Sequence, residues 1–546
     1  MVAAPQARFI GPPERPCAAF LSVPEDGVGT TGALIAPPLG YEYWTAHGTL
    51  RVIAERLARA GILALRLDYD GTGDSAGEHL DGGRVSAWCS SLLAGAEELR
   101  RLGCSRLIGV GLRLGATLLV EQGAELGLDQ LVCWAPIESG RRYVRELRMV
   151  ATPFPDDDPD GPLAGAISLQ GVGLRDSDLA DLAALDATRV GATPATSVLL
   201  LDRADRPPNR KLRARLDELG AKVFHDQVDG TASVLDVATE AVTVPEEIVD
   251  RIAEFISAEP GGGAALAAGR DEASFAWRGG VVTERFVSVA GLAGVRTSAP
   301  GRTPRGLVVF LDSGSEHRVG PGRAWVELAR TLSCAGYDAL RVDFSGWGES
   351  PQRGHFPGRP YDGHLLAEAR AVVAAQRSAG DEHIVLAGLC SGAWVALSVA
   401  PDTDLAGVVA FNPWMNHHAG EQLFETPAEA ARVLAPARAR HARLRPLGIF
   451  HVLEALGLHN TGGRLLVRLR RARVPVLYLF AEGDLSIEWL EQRVPLSWRR
   501  ARSLPGVEAE TLAGLDHPMF RLWCRPAVYA RIIAYLDRIL GEGSTP

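Results

Sequence analysis

The chain has 546 residues, more than one compact core accommodates, so two or more domains are expected. Apolar residues make up 47% and charged residues 23%, a globular balance that excludes a disordered or fibrous protein. A formal net charge of −9 argues against a non-specific nucleic-acid binder, so no nucleic-acid partner is expected.

The N-terminal stretch MVAAPQARFIGPPERP has no long apolar run and does not read as a secretory signal. Nowhere do 18 uncharged apolar residues run together, so no membrane span is expected, and a cytoplasmic protein is the default. Downstream, short apolar runs (GALIAPP, ILALRLD, RLIGVG, SVLLLD) alternate with helical patterns. Apolar strands without clean alternation predict a mostly parallel sheet covered by helices on both faces, hence an α/β fold.

The pattern then repeats. RVIAERLARAGILALRLDYDGTGDS (51–75) resembles AWVELARTLSCAGYDALRVDFSGWGES (324–350), and both end in a D-x-x-G-x-G-x-S turn. Asp68, Gly71, Gly73 and Ser75 match Asp343, Gly346, Gly348 and Ser350 at an offset of 275. Three later strand-like blocks repeat at nearly the same offset, which predicts two copies of one domain. EPGGGAALAAGRDEAS (259–274), Gly/Ala-rich and following a helical pattern, reads as the linker between copy one (1–258) and copy two (275–546).

In copy one the strand RLIGVG runs into GLRLG (111–115), with Arg113 at its centre. The same place in copy two is GLCSG (388–392), between the strand HIVLA and the helical AWVALSVA. That is the context of a nucleophile elbow, G-x-Nuc-x-G, with Cys390 as nucleophile. A thiol at a helix N-terminus beside an imidazole is suited to nucleophilic work. Ser391 is the out-of-frame rival, and the structural alternative is a buried cysteine.

The partners follow in the order nucleophile, acid, base. Asp484 ends the strand VPVLYLF in the turn AEGD, and His517 lies in GLDHPMF before the last helical stretch. Asp484 as a mere helix cap, His517 as a surface histidine and Asp516 as a rival orienter are the competing readings. The oxyanion donors expected are the Ser391 N–H and the loop around Ser313, Gly314 and Ser315.

Together these motifs resemble the α/β-hydrolase superfamily in both halves. The stretches SGSEHRVGPGRAWVELARTL, GLCSGA and GVVAFNPWMN resemble the exosortase-A-system-associated hydrolases. The resemblance implies two tandem α/β-hydrolase domains, each with a cap insertion, in copy two about 415–473.

Copy one matches Asp205 to Asp484 but places Gly230 or Thr231 where His517 falls, with His225 about five residues early. Arg113 cannot be a nucleophile. Copy one therefore reads as a pseudo-hydrolase, with Arg113 in an ion pair near Asp205 or binding an anion. In the copy-two cap, residues 432–473 carry ten arginines and one carboxylate, Glu454. They read as a solvated face, or as a surface attracting an anionic acyl carrier. His417 and His418 read as cap-loop residues or a metal pair. The copy-one cap carries an acidic stretch, PFPDDDPDGP (153–162), read as an exposed loop.

Seven cysteines, odd in number and without a C-x-x-C pair, exclude a disulfide scaffold or zinc knuckle; no metal or cofactor is expected. The function expected is a thiol acyl hydrolase of esters or thioesters, acting on a small acyl substrate that is free or carrier-bound. The alternatives are an acyltransferase to amines or alcohols and a non-catalytic scaffold.

Overall fold

The structure is a computed structural model that describes residues 5–154, 165–256, 265–314, 316–352, 360–415 and 461–541. The first half contributes β1 (Gln6–Ile10), β2 (Cys17–Ser22), β3 (Thr31–Ala36), β4 (Leu63–Leu67), β5 (Arg106–Leu112), β6 (Leu128–Trp134), β7 (Thr152–Pro153), β8 (Ile167–Leu169), β9 (Val172–Leu174), β10 (Ala195–Arg203) and β11 (Lys222–Val228). Eight of these form one sheet in the order β1-β2-β4-β3-β5-β6-β10-β11, antiparallel through β2 and parallel beyond. β7–β9 form a small separate sheet.

The second half contributes β12 (Glu272–Trp277), β13 (Gly280–Val289), β14 (Leu292–Ser298), β15 (Leu307–Leu311), β16 (Asp338–Val342), β17 (Ile384–Leu389), β18 (Gly407–Phe411), β19 (Val476–Ala481) and β20 (Val507–Leu512). Their order is β12-β13-β14-β16-β15-β17-β18-β19-β20. From β13 onward this repeats the first sheet strand for strand. The extra strand β12 begins inside the stretch expected to be linker. Its residues EASFAW alternate exposed and buried, the period of a half-buried edge strand.

Successive residues of the central strands enter opposite cores. Leu34 and Leu65 pack on one face of the first sheet, while Ala33, Ile35 and Ala64 pack on the other. That double burial is why these strands read as continuous apolar runs. Among the described residues no helix is long and apolar enough to cross a membrane.

The D-x-x-G-x-G-x-S turn has a structural explanation in both copies. A Cβ on Gly73 would lie 2.0 Å from the Asp68 carboxylate, and one on Gly348 2.2 Å from that of Asp343. The Asp74 N–H donates to Asp68 (2.9 Å) and the Glu349 N–H to Asp343 (2.8 Å). Ser75 and Ser350 donate to the carbonyls of Asp68 and Asp343, and accept from the neighbouring antiparallel strand.

These two turns meet each other. Arg66 of copy one grips Glu349 of copy two through two hydrogen bonds, and Arg341 of copy two binds Asp74 of copy one. Arg66 and Arg341, like Asp74 and Glu349, are equivalent residues in the repeat. The contact is therefore reciprocal, as across the two-fold axis of a dimer. Arg318 bridges Asp74 (2.6 Å) and Asp343 (2.5 Å), and Arg330 pairs with Glu284 (2.8 Å), all buried. Burial opposes charge on Asp74, but Arg318 and Arg341 outweigh it and hold its pKa below the usual carboxylate range. Phe9 stacks on Phe286 at 4.6 Å beside this cluster, and the Phe9 N–H donates to the Arg270 carbonyl just before β12.

Candidate active site

β17 ends in the sharp turn that carries Cys390, and the helix Ser391–Val399 starts directly after it. Cys390 has φ 51° and ψ −109°, a strained backbone for a residue with a side chain. A Cβ on Gly388 would lie 2.3 Å from the Gly392 backbone, and one on Gly392 2.7 Å from the carbonyls of Leu311 and Asp312. Both glycines are thus required by close backbone approach. The Cys390 N–H donates to the Phe411 carbonyl (2.9 Å), tying the elbow to β18.

His517 lies on the loop after β20, near enough to Cys390 for the two side chains to interact electrostatically. Its Nδ1 lies 2.6 Å from Oδ2 of Asp484. The other oxygen of Asp484 accepts from the Ser486 N–H at 2.8 Å, capping the helix Leu485–Arg493. Asp484 is therefore both a helix cap and the partner of His517. Burial disfavours charge on His517, but its hydrogen bond to Asp484 and the proximity of Cys390 outweigh this and raise its pKa to about 10. Asp484 is likewise opposed by burial and lowered by His517. Asp516 is engaged elsewhere, accepting the backbone N–H groups of Phe520 and Arg521.

Ser391 is buried, and its Oγ accepts from the Gly314 N–H at 3.0 Å. That N–H therefore points at Ser391 Oγ, while Ser313 sits buried beside it. Ser315, His417, His418 and cap residues 416–460, including Glu454, lie outside the described residues, as does most of the acidic stretch 153–162. Of the cap arginines, those on the helix Thr461–Ala472 lie opposite its buried Leu465, Leu466 and Leu469, and Arg468 pairs with Asp402. This is the solvated-face arrangement.

Two site residues had no motif to announce them. The Tyr361 hydroxyl lies 3.3 Å from Cys390 Sγ; Tyr361 is buried, and its ring meets Trp394 edge-on. Asn412, at φ 41° just past β18, donates to the His517 carbonyl (2.9 Å) and accepts from the Ala481 N–H (2.7 Å). It braces the loop that carries His517 against β19. The only signal for it was the Asn in AFNP, where copy one reads WAP.

The copy-one elbow keeps the same backbone. Arg113 has φ 53° and ψ −117°, and its N–H donates to Trp134. Its side chain pairs with Glu42 (3.0 Å) and Glu146 (3.5 Å). Asp205, the expected neighbour, instead pairs with Arg203 (2.7 Å), because Arg203 at the end of β10 turns toward it and toward Asp236. Thr231, near the expected base position, accepts from the Trp134 indole N–H, and His225 on β11 bonds Asp202 at 2.8 Å. No group of three metal-ligating side chains occurs among the described residues.

No protein-family profile matches the chain, and no curated protein does. Among solved structures it is similar to the esterase Est1E of Butyrivibrio proteoclasticus with bound ferulic acid, at 15% identity and a TM-score of 0.36, over 45% of this chain and 96% of that one. It is also similar to an esterase of Pyrococcus furiosus (18%, 0.34, 47% and 92%) and a dienelactone hydrolase of Anabaena variabilis (16%, 0.32, 47% and 97%). The neighbours are α/β-hydrolases, each spanning about half of this chain.

Proposed function

We propose that copy two is an acyl hydrolase that works through an S-acyl intermediate on Cys390. The observation that carries this is Cys390 on a strained elbow with His517 near it, whose Nδ1 is held by Asp484 at 2.6 Å. With a pKa near 10, His517 holds a proton at neutral pH and is ready to give it to a leaving group. Cys390 and His517 share one proton: with it on His517 the sulfur attacks the acyl carbonyl as a thiolate, the C–S bond forms, the bond from the acyl carbon to the alcohol or thiol breaks, and that group departs with the proton from His517. Water then attacks the S-acyl group while His517 accepts its proton, releasing the acid and the free sulfur. Asp484 keeps Nδ1 engaged so that Nε2 serves Cys390.

The Ser391 N–H is one donor to the oxyanion, and Ser313 or the Tyr361 hydroxyl serves as the second, since the Gly314 N–H is already donated. The resemblance to exosortase-associated hydrolases is consistent with a small acyl substrate, free or carrier-bound. The experiment is intact-mass analysis after exposure to p-nitrophenyl acetate. An acetyl adduct is expected on the parent and none on Cys390→Ala. An adduct surviving that substitution overturns the assignment. Adding an amine or alcohol acceptor decides between hydrolysis and transfer, since transfer yields the acylated acceptor in place of free acetate.

A further inference from the structure

The degenerate copy keeps an open cleft at the mouth of its elbow, about 800 Å³ in volume, within the range of small-molecule sites. Its apolar side is formed by Leu39, Ile137, Leu147 and Leu169, and its rim by Met149, which is 84% exposed. At its polar end the Arg113 guanidinium lies 5.8 Å from the Tyr143 ring centroid. Tyr143 is only 3% exposed, lines the cleft, and its hydroxyl has no hydrogen-bond partner among the described residues. Burial and the nearby Glu42 carboxylate keep that hydroxyl protonated, so it remains a donor. Oε2 of Glu42, also on the lining, is a second buried atom without a partner among the described residues.

A buried donor and a buried acceptor left unmade cost free energy in the empty protein that a ligand would recover. The charges of the cleft set the ligand's class. Five arginines face five carboxylates, and Arg113 is already neutralised by Glu42 and Glu146. An anion would have to displace a carboxylate from Arg113, whereas an uncharged group would not.

We propose that copy one is a non-catalytic binding site for an uncharged amphipathic carbonyl compound, its carbonyl accepting from Tyr143, its N–H or O–H donating to Glu42, and its chain lying along Leu147 and Leu169. This is independent of the reaction assigned to copy two.

The test is calorimetric titration of octanamide into the full chain carrying Cys390→Ala. Saturable binding is expected, weakened about tenfold by Tyr143→Phe. That variant should melt no lower than its parent, since it removes an unpartnered buried hydroxyl. Met149→Glu, on the exposed rim, should also weaken binding, and it guards against a folding defect in Tyr143→Phe. Octanoate, of equal length but anionic, should bind more weakly than octanamide. Binding that both substitutions leave unchanged, octanoate binding as tightly as the amide, or no saturable binding overturns the proposal.

Discussion

Arg113 and Cys390 stand on nearly superposable backbone, with φ near +50° and ψ between −109° and −117°. Such a conformation costs about 1–3 kcal/mol for a residue with a side chain. In copy two that strain presents a sulfur to His517. In copy one it presents a guanidinium to two carboxylates. The flanking glycines are equally crowded in both: a Cβ on Gly111 would lie 2.4 Å from Ala116, and one on Gly115 2.2 Å from the Ala36 carbonyl. The elbow is therefore imposed by the packing of strand against helix, whatever stands at its tip. The chemistry is a separate layer, added by residues that converge from four other segments.

Three substitutions test that separation. The largest effect is expected at the base: His517→Ala should lower the rate of ester turnover by about 10³-fold or more. Steady-state kinetics on the purified full chain would detect it, and a loss under tenfold would mean that the imidazole is not the proton carrier.

Next comes the contact between the copies. Asp74→Ala removes the carboxylate that Arg318 and Arg341 share, leaving two buried guanidinium groups short of a partner. A loss of about 3–5 kcal/mol is expected from denaturant unfolding. A change under about 1 kcal/mol would mean that the reciprocal ion pairs do not hold the copies together.

The smallest effect is expected from placing a thiol on the copy-one elbow. Arg113→Cys, in the Cys390→Ala background, should give no acyl adduct by intact mass, because Thr231 and Ala135 stand where copy two uses His517 and Asn412. An adduct there would mean that the frame alone activates a thiol.

The elbow and its partners were legible because each occupies a patterned place. Cys390 lies between two glycines at a strand–helix junction, Asp484 ends an apolar strand, and His517 precedes the final helix. Tyr361 was not, because it lies between the D-x-x-G-x-G-x-S turn and the helix Gly363–Ser378, where no sequence period marks a position. Asn412 acts through backbone groups of two other segments, and such contacts leave little trace in sequence. The sheets followed from the repeat, but the contact between them did not. Asp74 and Glu349 occupy a variable position of the turn motif, and their partners Arg341 and Arg66 are single arginines inside strands read as apolar runs. Likewise, Arg113 finds Glu42 and Glu146, 71 and 33 positions away, rather than the carboxylate that alignment of the copies put beside it.

The reciprocal contact also limits how the protein assembles further. A face on which residue i meets j while j's counterpart meets i's is self-complementary, and one pairing saturates it. Two separate chains bearing that face would meet only at a rate set by their concentration. Here both halves share one chain, so the local concentration of the partner is fixed by the tether and dilution cannot part them. The face has no free valence left for a second molecule. Any larger assembly must be built on other surfaces.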